Sequence, residues 1–361
     1  MYSIFDADKL EEFRKSNKLQ PFRIKQIYNN IFKNSIIDFD EMTDLPKTLR
    51  QQLKENFYIV SLNPESILET SETTKIAFKT KKWYTFESVL MYHTHEKNGK
   101  IKLNRITICL SSQIGCAVGC KFCVTGKLGF IDNLTEYEIL EQIIWANNYI
   151  KNKFWKKDDW TWYKIRNVVF MGMWEPMLNY DNVKKSILMM LDQNKLSLSK
   201  RHITISTSGI VPGIKQMLAD NLDVMLAISL HSADEKVREE IMPITERYSL
   251  NELMEILDKY VEQTNNRVFY EYIMIKDLTD TLDQAIKLAN LLKNRLAHVN
   301  LIPYNENPVV DYQTSPMKNI LKFKKILEDN GITATIRATM WDEIKWACWQ
   351  LWYEKVKRAL N

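Results

Sequence analysis

The chain is short of glycine and of long apolar runs. Its 361 residues include nine glycines, whereas average usage of roughly 7% would give about 25. A membrane-spanning helix needs about 18 or more consecutive apolar residues, and no such run occurs. A signal peptide is not expected either, because its basic and apolar regions are missing from MYSIFDADKLEEFRKSNK. We therefore expect a cytoplasmic protein that does not bind a membrane.

Cysteine is also scarce, but it is clustered. Four of the five cysteines lie between Cys109 and Cys123, and the fifth is Cys348. In a reducing compartment, clustered cysteines more often bind metal or act chemically than form disulfides. Cys116, Cys120 and Cys123 form C-x3-C-x2-C, a spacing that lets three thiolates bind an iron–sulfur cubane and leave its fourth iron open. The alternative is structural zinc, which prefers four ligands in paired spacings, and the second pair is missing.

Strands and helices alternate from residue 105 onward. The strand candidates are short runs rich in β-branched or apolar residues, at 105–110, 167–171, 202–206, 224–230, 267–274 and 298–302. Such alternation predicts a parallel sheet with right-handed crossovers. Because six units are too few for a closed eight-fold barrel, we expect an α/β partial (βα)6 barrel with its chemistry at the carboxyl ends of the strands.

The N-terminal part is predicted to be small and helical. Apolar residues recur at helical spacing in FRIKQIYNNIF, and Pro46 precedes a second helical segment, KTLRQQLKENF. Basic residues surround the first apolar stripe and form either a solvated helix face or an RNA-contacting one. The net charge of +5 permits an RNA partner without requiring one.

The cysteine spacing, with Phe122 between the last two cysteines, resembles the signature of the radical S-adenosylmethionine (SAM) superfamily. This resemblance implies a [4Fe–4S] cluster held by Cys116, Cys120 and Cys123, whose open iron binds SAM. Reductive cleavage of SAM then yields a 5′-deoxyadenosyl radical. The expected fold is the partial barrel of that superfamily.

Further motifs narrow the resemblance to the RlmN/Cfr family of RNA methyltransferases. The chain carries, in order, CLSSQIGCAVGCKFCVTGKLGF, MGMWEPMLNYDNV, RHITISTSGIVPGI, ISLHSADEKVREEIMPI, NLIPYN and DEIKWACWQL. The N-terminal helical sequence also resembles that family, so the likeness covers nearly the whole chain. It implies methylation of an adenine in 23S rRNA and of one next to the anticodon in tRNAs, with two SAM molecules used per turnover.

The resemblance also implies roles for individual residues. Cys348 matches the methyl-accepting cysteine, Cys109 the cysteine that forms a disulfide with it on product release, and Glu87 the carboxylate that takes the adenine C2 proton. Without the resemblance, a lone cysteine is more often a small buried hydrophobe. The positions that match SAM contacts are Trp174, Glu175, Ser206, Ser229, Leu230, His231 and Asn305.

Two branches of the family differ in the carbon that they methylate. RlmN-type enzymes modify adenine C2, whereas Cfr-type enzymes modify C8 of the same ribosomal adenine. Pro after the glutamate of the GMGE motif is typical of the RlmN branch, and this chain has Glu175-Pro176. We expect the C2 activity; the alternatives are a Cfr-type enzyme and a non-catalytic RNA-binding relative.

The resemblance suggests an organisation and partners. We expect an RNA-binding helical domain at 1–75, linker strands with Glu87 at 76–104, the radical SAM barrel at 105–340 and a C-terminal segment with Cys348 at 341–361. The expected partners are 23S rRNA, tRNA and an electron donor such as flavodoxin, and the protein is expected to be a monomer.

Tryptophan stands where the family has glycine. The affected positions are Trp174, Trp341 and Trp349, with Trp83 as a further candidate, and ten tryptophans accompany the nine glycines. Independent replacement of several glycines by one bulky residue is improbable. Our hypothesis is that the natural host reads UGA as glycine, so that these positions, and loop positions such as 155, 160 and 162, are glycine in the native protein. The alternative is an altered, inactive relative.

Overall fold

The computed structural model describes residues 1–97, 100–154, 163–173, 175–306 and 310–337. Its α-helices are α1 (Ala7–Ser16), α2 (Phe22–Tyr28), α3 (Lys47–Asn56), α4 (Glu136–Phe154), α5 (Tyr180–Leu191), α6 (Val211–Ala219), α7 (Glu235–Ile241), α8 (Leu250–Thr264), α9 (Leu282–Leu292) and α10 (Met317–Asp329). Across the described ranges, no helix has the length and apolar character that membrane crossing requires.

The strands are β1 (Tyr2–Ser3), β2 (Phe57–Tyr58), β3 (Asn63–Glu69), β4 (Thr73–Lys79), β5 (Thr85–Lys97), β6 (Lys100–Cys109), β7 (Gln113–Gly115), β8 (Phe130–Asn133), β9 (Ile165–Phe170), β10 (Ile203–Thr207), β11 (Met225–Ser229), β12 (Val268–Met274), β13 (Ala297–Pro303) and β14 (Thr333–Ile336). The six strands predicted from residue 105 onward are confirmed as β6 and β9 to β13. The sequence did not indicate β14, which is a run of four residues.

The chain divides into two compact units. The first contains Met1–Leu110, Leu134–Val168 and Asp181–Ile203, and the second contains Ser111–Asn133, Val169–Tyr180 and the described part of Thr204–Asn361. In the N-terminal part, helices end at Asn56 and strands follow from Phe57, so the segment up to residue 75 is not wholly helical as predicted. Its later residues include the β-branched run of β4, which favours a strand. The predicted domain boundaries stay a prediction.

The first unit contains an antiparallel sheet. Strands β3, β4, β5 and β6 pair in that order. Helix α4 packs on one sheet face, where the Trp145 ring meets Phe78 edge-on at 5.3 Å between centroids. A capping box begins α4, since the Glu138 amide donates to Thr135 Oγ1 and the Thr135 amide donates to the Glu138 carboxylate.

The second unit contains the parallel sheet that the alternation predicted. Strands β10 to β14 pair in chain order, each parallel to the next. Inward residues such as Ile228, Val299 and Leu301 are fully buried, as are Leu288 and Phe323 of the covering helices α9 and α10. Burying each such side chain contributes about 1.5–3 kcal/mol. This core holds the carboxyl ends of β10, β11 and β12 in register.

Candidate functional site

A cavity opens in the second unit where the parallel strands end. It is lined by three cysteines and by polar side chains from successive strands and loops: Cys116, Cys120, Cys123, Thr125, Glu175, Ser206, Thr207, Ser208, Ser229, His231, Glu271 and Arg337. The carboxyl ends of parallel strands are the usual place for ligands in such folds. The structure therefore gathers the three predicted cluster ligands and four predicted SAM contacts around one space.

The cysteine loop is shaped by glycine and by tight turns. Gly115 has φ +79°, and a Cβ there would lie 2.0 Å from the Gly129 carbonyl oxygen, so a side chain does not fit. The Cys123 amide donates to the Cys120 carbonyl at 3.1 Å. This turn brings the Cys120 and Cys123 side chains to the same cavity as Cys116.

Burial raises the pKa of two of the three thiols. Burial raises the pKa of Cys116 to about 12, and the nearby Cys123 adds to the rise. Burial also raises the pKa of Cys120 well above its ordinary value, with further contributions from Cys123 and Cys116. Thiolates that are buried beside one another are stabilised by a bound metal cation. The donor set therefore fits a cluster held by these three sulfurs.

The described side chains do not form a site for a single metal ion. Within the described residues, no group of three or more His, Cys, Asp or Glu side chains is arranged to hold one metal ion. The fit to a cluster rests on the shared cavity and on the soft sulfur donors, which are the ligands of iron–sulfur clusters.

Glu175 places a buried carboxylate in the cavity. Its Oε1 accepts from the Met177 amide at 3.1 Å, and its Oε2 accepts from the amide and hydroxyl of Ser208, both at 2.6 Å. Burial raises the pKa of Glu175, although the hydrogen bonds from Ser208 oppose the rise. A carboxylate fixed in this way suits an ammonium group, since a buried charge gains most from a paired one.

His231 is held as a neutral imidazole. Its backbone adopts φ +61° directly after β11, and its Nδ1 accepts from the Ile273 amide at 3.2 Å. Burial, with a smaller contribution from the nearby Arg238, lowers the pKa of His231 to about 3. The proton of the neutral ring therefore lies on Nε2. The ring meets Phe122 edge-on at 4.9 Å between centroids, which ties it to the cysteine loop.

Arg238 of α7 supports the cavity through hydrogen bonds to the loops that line it. The sequence analysis did not identify this residue. Its guanidinium is buried and donates to the carbonyls of Leu230 (3.1 Å), Ser208 (2.6 Å) and Ser229 (3.4 Å) and to the Thr245 hydroxyl (2.7 Å). Burial lowers its pKa to about 10, so it stays charged at neutral pH. One side chain thus fixes the chain where β10 and β11 end.

Glu271 and Arg337 also line the cavity without having been predicted. Asn300 Nδ2 donates to Glu271 Oε1 at 2.8 Å, and Arg337 Nη1 lies 4.0 Å from Glu271 Oε2. Burial raises the pKa of Glu271, and Arg337 opposes the rise. A charged residue inside the apolar strand VFYEYIM was the signal that could have revealed it.

The other predicted site residues lie elsewhere or outside the described ranges. Leu230 is buried behind the lining and Asn305 is half-buried after β13, and neither lines the cavity. Trp174 and Cys348 lie outside the described residues.

Glu87 and Cys109 belong to the first unit. In the antiparallel register Val89 pairs with Cys109, and Glu87 is two residues from Val89 on the same strand. Because directly paired residues share a sheet face and residues two apart do as well, Glu87 and Cys109 lie on one face. Glu87 is buried.

Trp83 bears on the glycine hypothesis. It occupies the turn between β4 and β5 with φ +68°, and 78% of its surface is exposed. Such a φ is costly for a bulky residue and is usual for glycine. By contrast, Trp145 lies in α4, stacks on Tyr149 and meets Phe78 edge-on. Trp341, Trp349 and positions 155, 160 and 162 lie outside the described residues.

Comparison with known proteins identifies the family. Residues 4–59 match the ribosomal RNA large subunit methyltransferase N-terminal domain, and residues 157–289 match the radical SAM superfamily. A protein of Dictyoglomus thermophilum named "Probable dual-specificity RNA methyltransferase RlmN" is 41% identical over 347 residues, covering 96% of this chain and 95% of that protein. A Clostridium botulinum protein of the same name is 40% identical over 349 residues, covering 96% of each.

A solved structure agrees with the sequence relatives. The crystal structure of a radical SAM methyltransferase from Sphaerobacter thermophilus superposes with a TM-score of 0.87 at 34% identity, covering 97% of both chains. The predicted α/β radical SAM fold is therefore confirmed. With relatives matched along almost its full length, the chain belongs to the RlmN family of the radical SAM superfamily.

Proposed function

We propose that this RlmN-type RNA methyltransferase methylates C2 of an adenine in 23S rRNA and of an adenine next to the anticodon in tRNAs. The observation that carries the proposal is the cavity at the strand ends, where Cys116, Cys120 and Cys123 meet the Glu175 carboxylate and the His231 imidazole. C2 of adenine is an electron-poor carbon, and a [4Fe–4S] cluster with SAM supplies both a methyl group and the one-electron chemistry that such a carbon requires.

The cavity residues divide into two sets by chemistry. The three cysteines hold the cluster through their sulfurs. Glu175 pairs with the SAM ammonium, and Ser206, Ser229 and His231 provide polar contacts to the rest of the cofactor. We assign Trp174, Leu230 and Asn305 to the same cofactor on the family pattern alone.

Three further residues carry out the methyl transfer. Cys348 accepts a methyl group from one SAM and, after activation that consumes a second SAM, links it to adenine C2. Glu87 takes the C2 proton, and the unpaired electron of the linked adduct would pass to the oxidised cluster, which leaves a closed-shell thioether between Cys348 and adenine. Cys109 sulfur then attacks Cys348 sulfur, so that an S–S bond forms while the S–C bond breaks. The bond pair stays on the carbon, which takes up a proton to become the methyl group of the product.

This chemistry also indicates the cellular compartment and the redox partners that the protein needs. Free thiols and a reducible cluster suit a reducing cytoplasm, and each cycle needs an electron donor such as flavodoxin to reduce the cluster and a thiol reductant to reopen the disulfide. We propose that the protein acts as a monomer on RNA, which it recognises mainly by shape and backbone charge.

Nucleoside analysis tests the proposal. The anaerobically reconstituted protein is incubated with SAM, a reductant and either 23S rRNA fragments or tRNA, and the RNA is then digested for mass spectrometry. We expect 2-methyladenosine from both RNAs. Formation of 8-methyladenosine would assign the protein to the Cfr branch, and absence of both products together with absence of SAM cleavage would identify a non-catalytic relative.

A further inference from the structure

A buried ion pair joins Glu87 to a lysine on the neighbouring strand. Lys75 Nζ lies 3.2 Å from Glu87 Oε1, and the two side chains are 13% and 11% exposed. Exposed ion pairs contribute about 0–1 kcal/mol because water and salt screen them. A pair that is this well covered behaves differently, since removal of one partner leaves the other charge buried and unpaired.

The strand register explains how the two side chains meet. Ala77 of β4 pairs with Glu87 of β5, and Lys75 pairs with Val89. Lys75 and Glu87 are therefore diagonal neighbours on one sheet face, about 7–8 Å apart at the backbone, a gap that a lysine side chain spans. Val89 also pairs with Cys109 on its other side. The register thus places the ammonium, the carboxylate and the Cys109 thiol on a single face.

Another lysine of β4 offers a comparison. Lys79 Nζ lies 3.7 Å from Glu65 Oε1, with the side chains 30% and 45% exposed. This pair is longer and more open to solvent than the Lys75–Glu87 pair, although its lysine comes from the same strand. Lys79 is therefore a control for the removal of a β4 lysine whose partner carboxylate stays more exposed to water.

We infer that Lys75 is a positioning residue for Glu87: its ammonium holds the carboxylate in place on the sheet face that also carries Cys109. The inference rests on the proposed role of Glu87 as the acceptor of the adenine C2 proton. A carboxylate that takes a proton has to be held within hydrogen-bond reach of that proton, and an ion pair to a fixed neighbour restricts where the carboxylate can lie.

The test compares Lys75→Met, Lys75→Arg, Lys79→Met and Glu87→Gln in the reconstituted holoenzyme. SAM cleavage without RNA, methylation of Cys348, the covalent protein–RNA adduct and released methyladenosine are measured. We expect Lys75→Met to slow product release by roughly tenfold to a hundredfold and to accumulate the same adduct as Glu87→Gln. SAM cleavage and Cys348 methylation should stay at the parent level, Lys75→Arg should recover most of the rate, and Lys79→Met should match the parent.

The double variant Lys75→Met/Glu87→Gln covers the case in which Lys75→Met folds poorly. It removes both charges, so we expect it to regain the parent's thermal stability without regaining product release. Normal release by Lys75→Met, or a loss of release accompanied by an equal loss of SAM cleavage in the stable double variant, would overturn the inference. Normal release by Glu87→Gln would instead show that the proposed role of Glu87 is wrong.

Discussion

Glu141 should make the stability of the first unit depend on pH. This residue of α4 is fully buried, and its Oε2 accepts from the Ser61 amide (2.6 Å), the Ser61 hydroxyl (2.8 Å) and the Leu62 amide (3.2 Å). Its Oε1 is buried and has no hydrogen-bond partner among the described residues. Glu141 thereby ties α4 to the segment that leads from the N-terminal helices into the sheet.

The sign and size of the effect follow from the pKa. Burial raises the pKa of Glu141 from 4.5 to about 8, although the hydrogen bonds from Ser61 oppose the rise. Between these values the folded protein binds a proton that the unfolded chain has released, so the free energy of unfolding falls as the pH rises. Since each pKa unit corresponds to about 1.4 kcal/mol, the loss approaches about 5 kcal/mol at pH 8.

The variant Glu141→Gln isolates this contribution. Its amide oxygen can still accept from the Ser61 and Leu62 donors, and the amide group does not ionise. Urea unfolding followed by circular dichroism, under anaerobic conditions from pH 5 to pH 8, gives the stability difference between variant and parent. We expect that difference to move in favour of the variant as the pH rises, with any constant offset from the unpaired amide nitrogen subtracted at pH 5. A difference that does not change with pH would show that Glu141 does not bind a proton on folding.

Three further predictions concern the site and the sequence. Cys120→Ala leaves two of the three sulfur ligands, so iron–sulfur absorbance and SAM cleavage should be lost while the circular dichroism spectrum is kept; a retained cluster would contradict the assignment. Arg238→Met removes four hydrogen bonds from a buried cation, and each contributes about 1.5–3 kcal/mol. The melting temperature and the SAM affinity should therefore both fall. An unchanged SAM affinity would show that Arg238 does not support the site. The codons should be UGA at Trp83 and Trp174 and UGG at Trp145; UGG at Trp83 and Trp174 would rule out recoding.

The parallel part of the fold was predictable because its signal is local. Each predicted strand is a short apolar or β-branched run, which can be recognised without knowledge of distant contacts. The β14 strand was missed because a run of four residues falls below what periodicity can detect. Strands β2 and β3, which lie in the segment predicted to be helical, were missed because long-range pairing, which sequence spacing does not report, stabilises them.

The site was predictable to the extent that its residues have distinctive chemistry. Three cysteines at fixed spacing indicate a cluster without any structural knowledge. Arg238, Glu271 and Lys75 gave no such signal, because what makes them notable is burial beside a specific partner, and burial depends on the folded chain. Lys75 in particular resembles any surface lysine until the β4–β5 register places it against Glu87.

The most direct test of the account is whether the methyl group reaches RNA through Cys348. Protein is first charged with SAM that carries a trideuterated methyl group, freed of excess donor, and then given unlabelled SAM, a reductant and RNA. We expect a deuterated methyl group on the Cys348 peptide before RNA is added, and deuterium in the methyladenosine of the first turnover. A first-turnover product without deuterium, or a Cys348 peptide that never carries the label, would contradict transfer through Cys348.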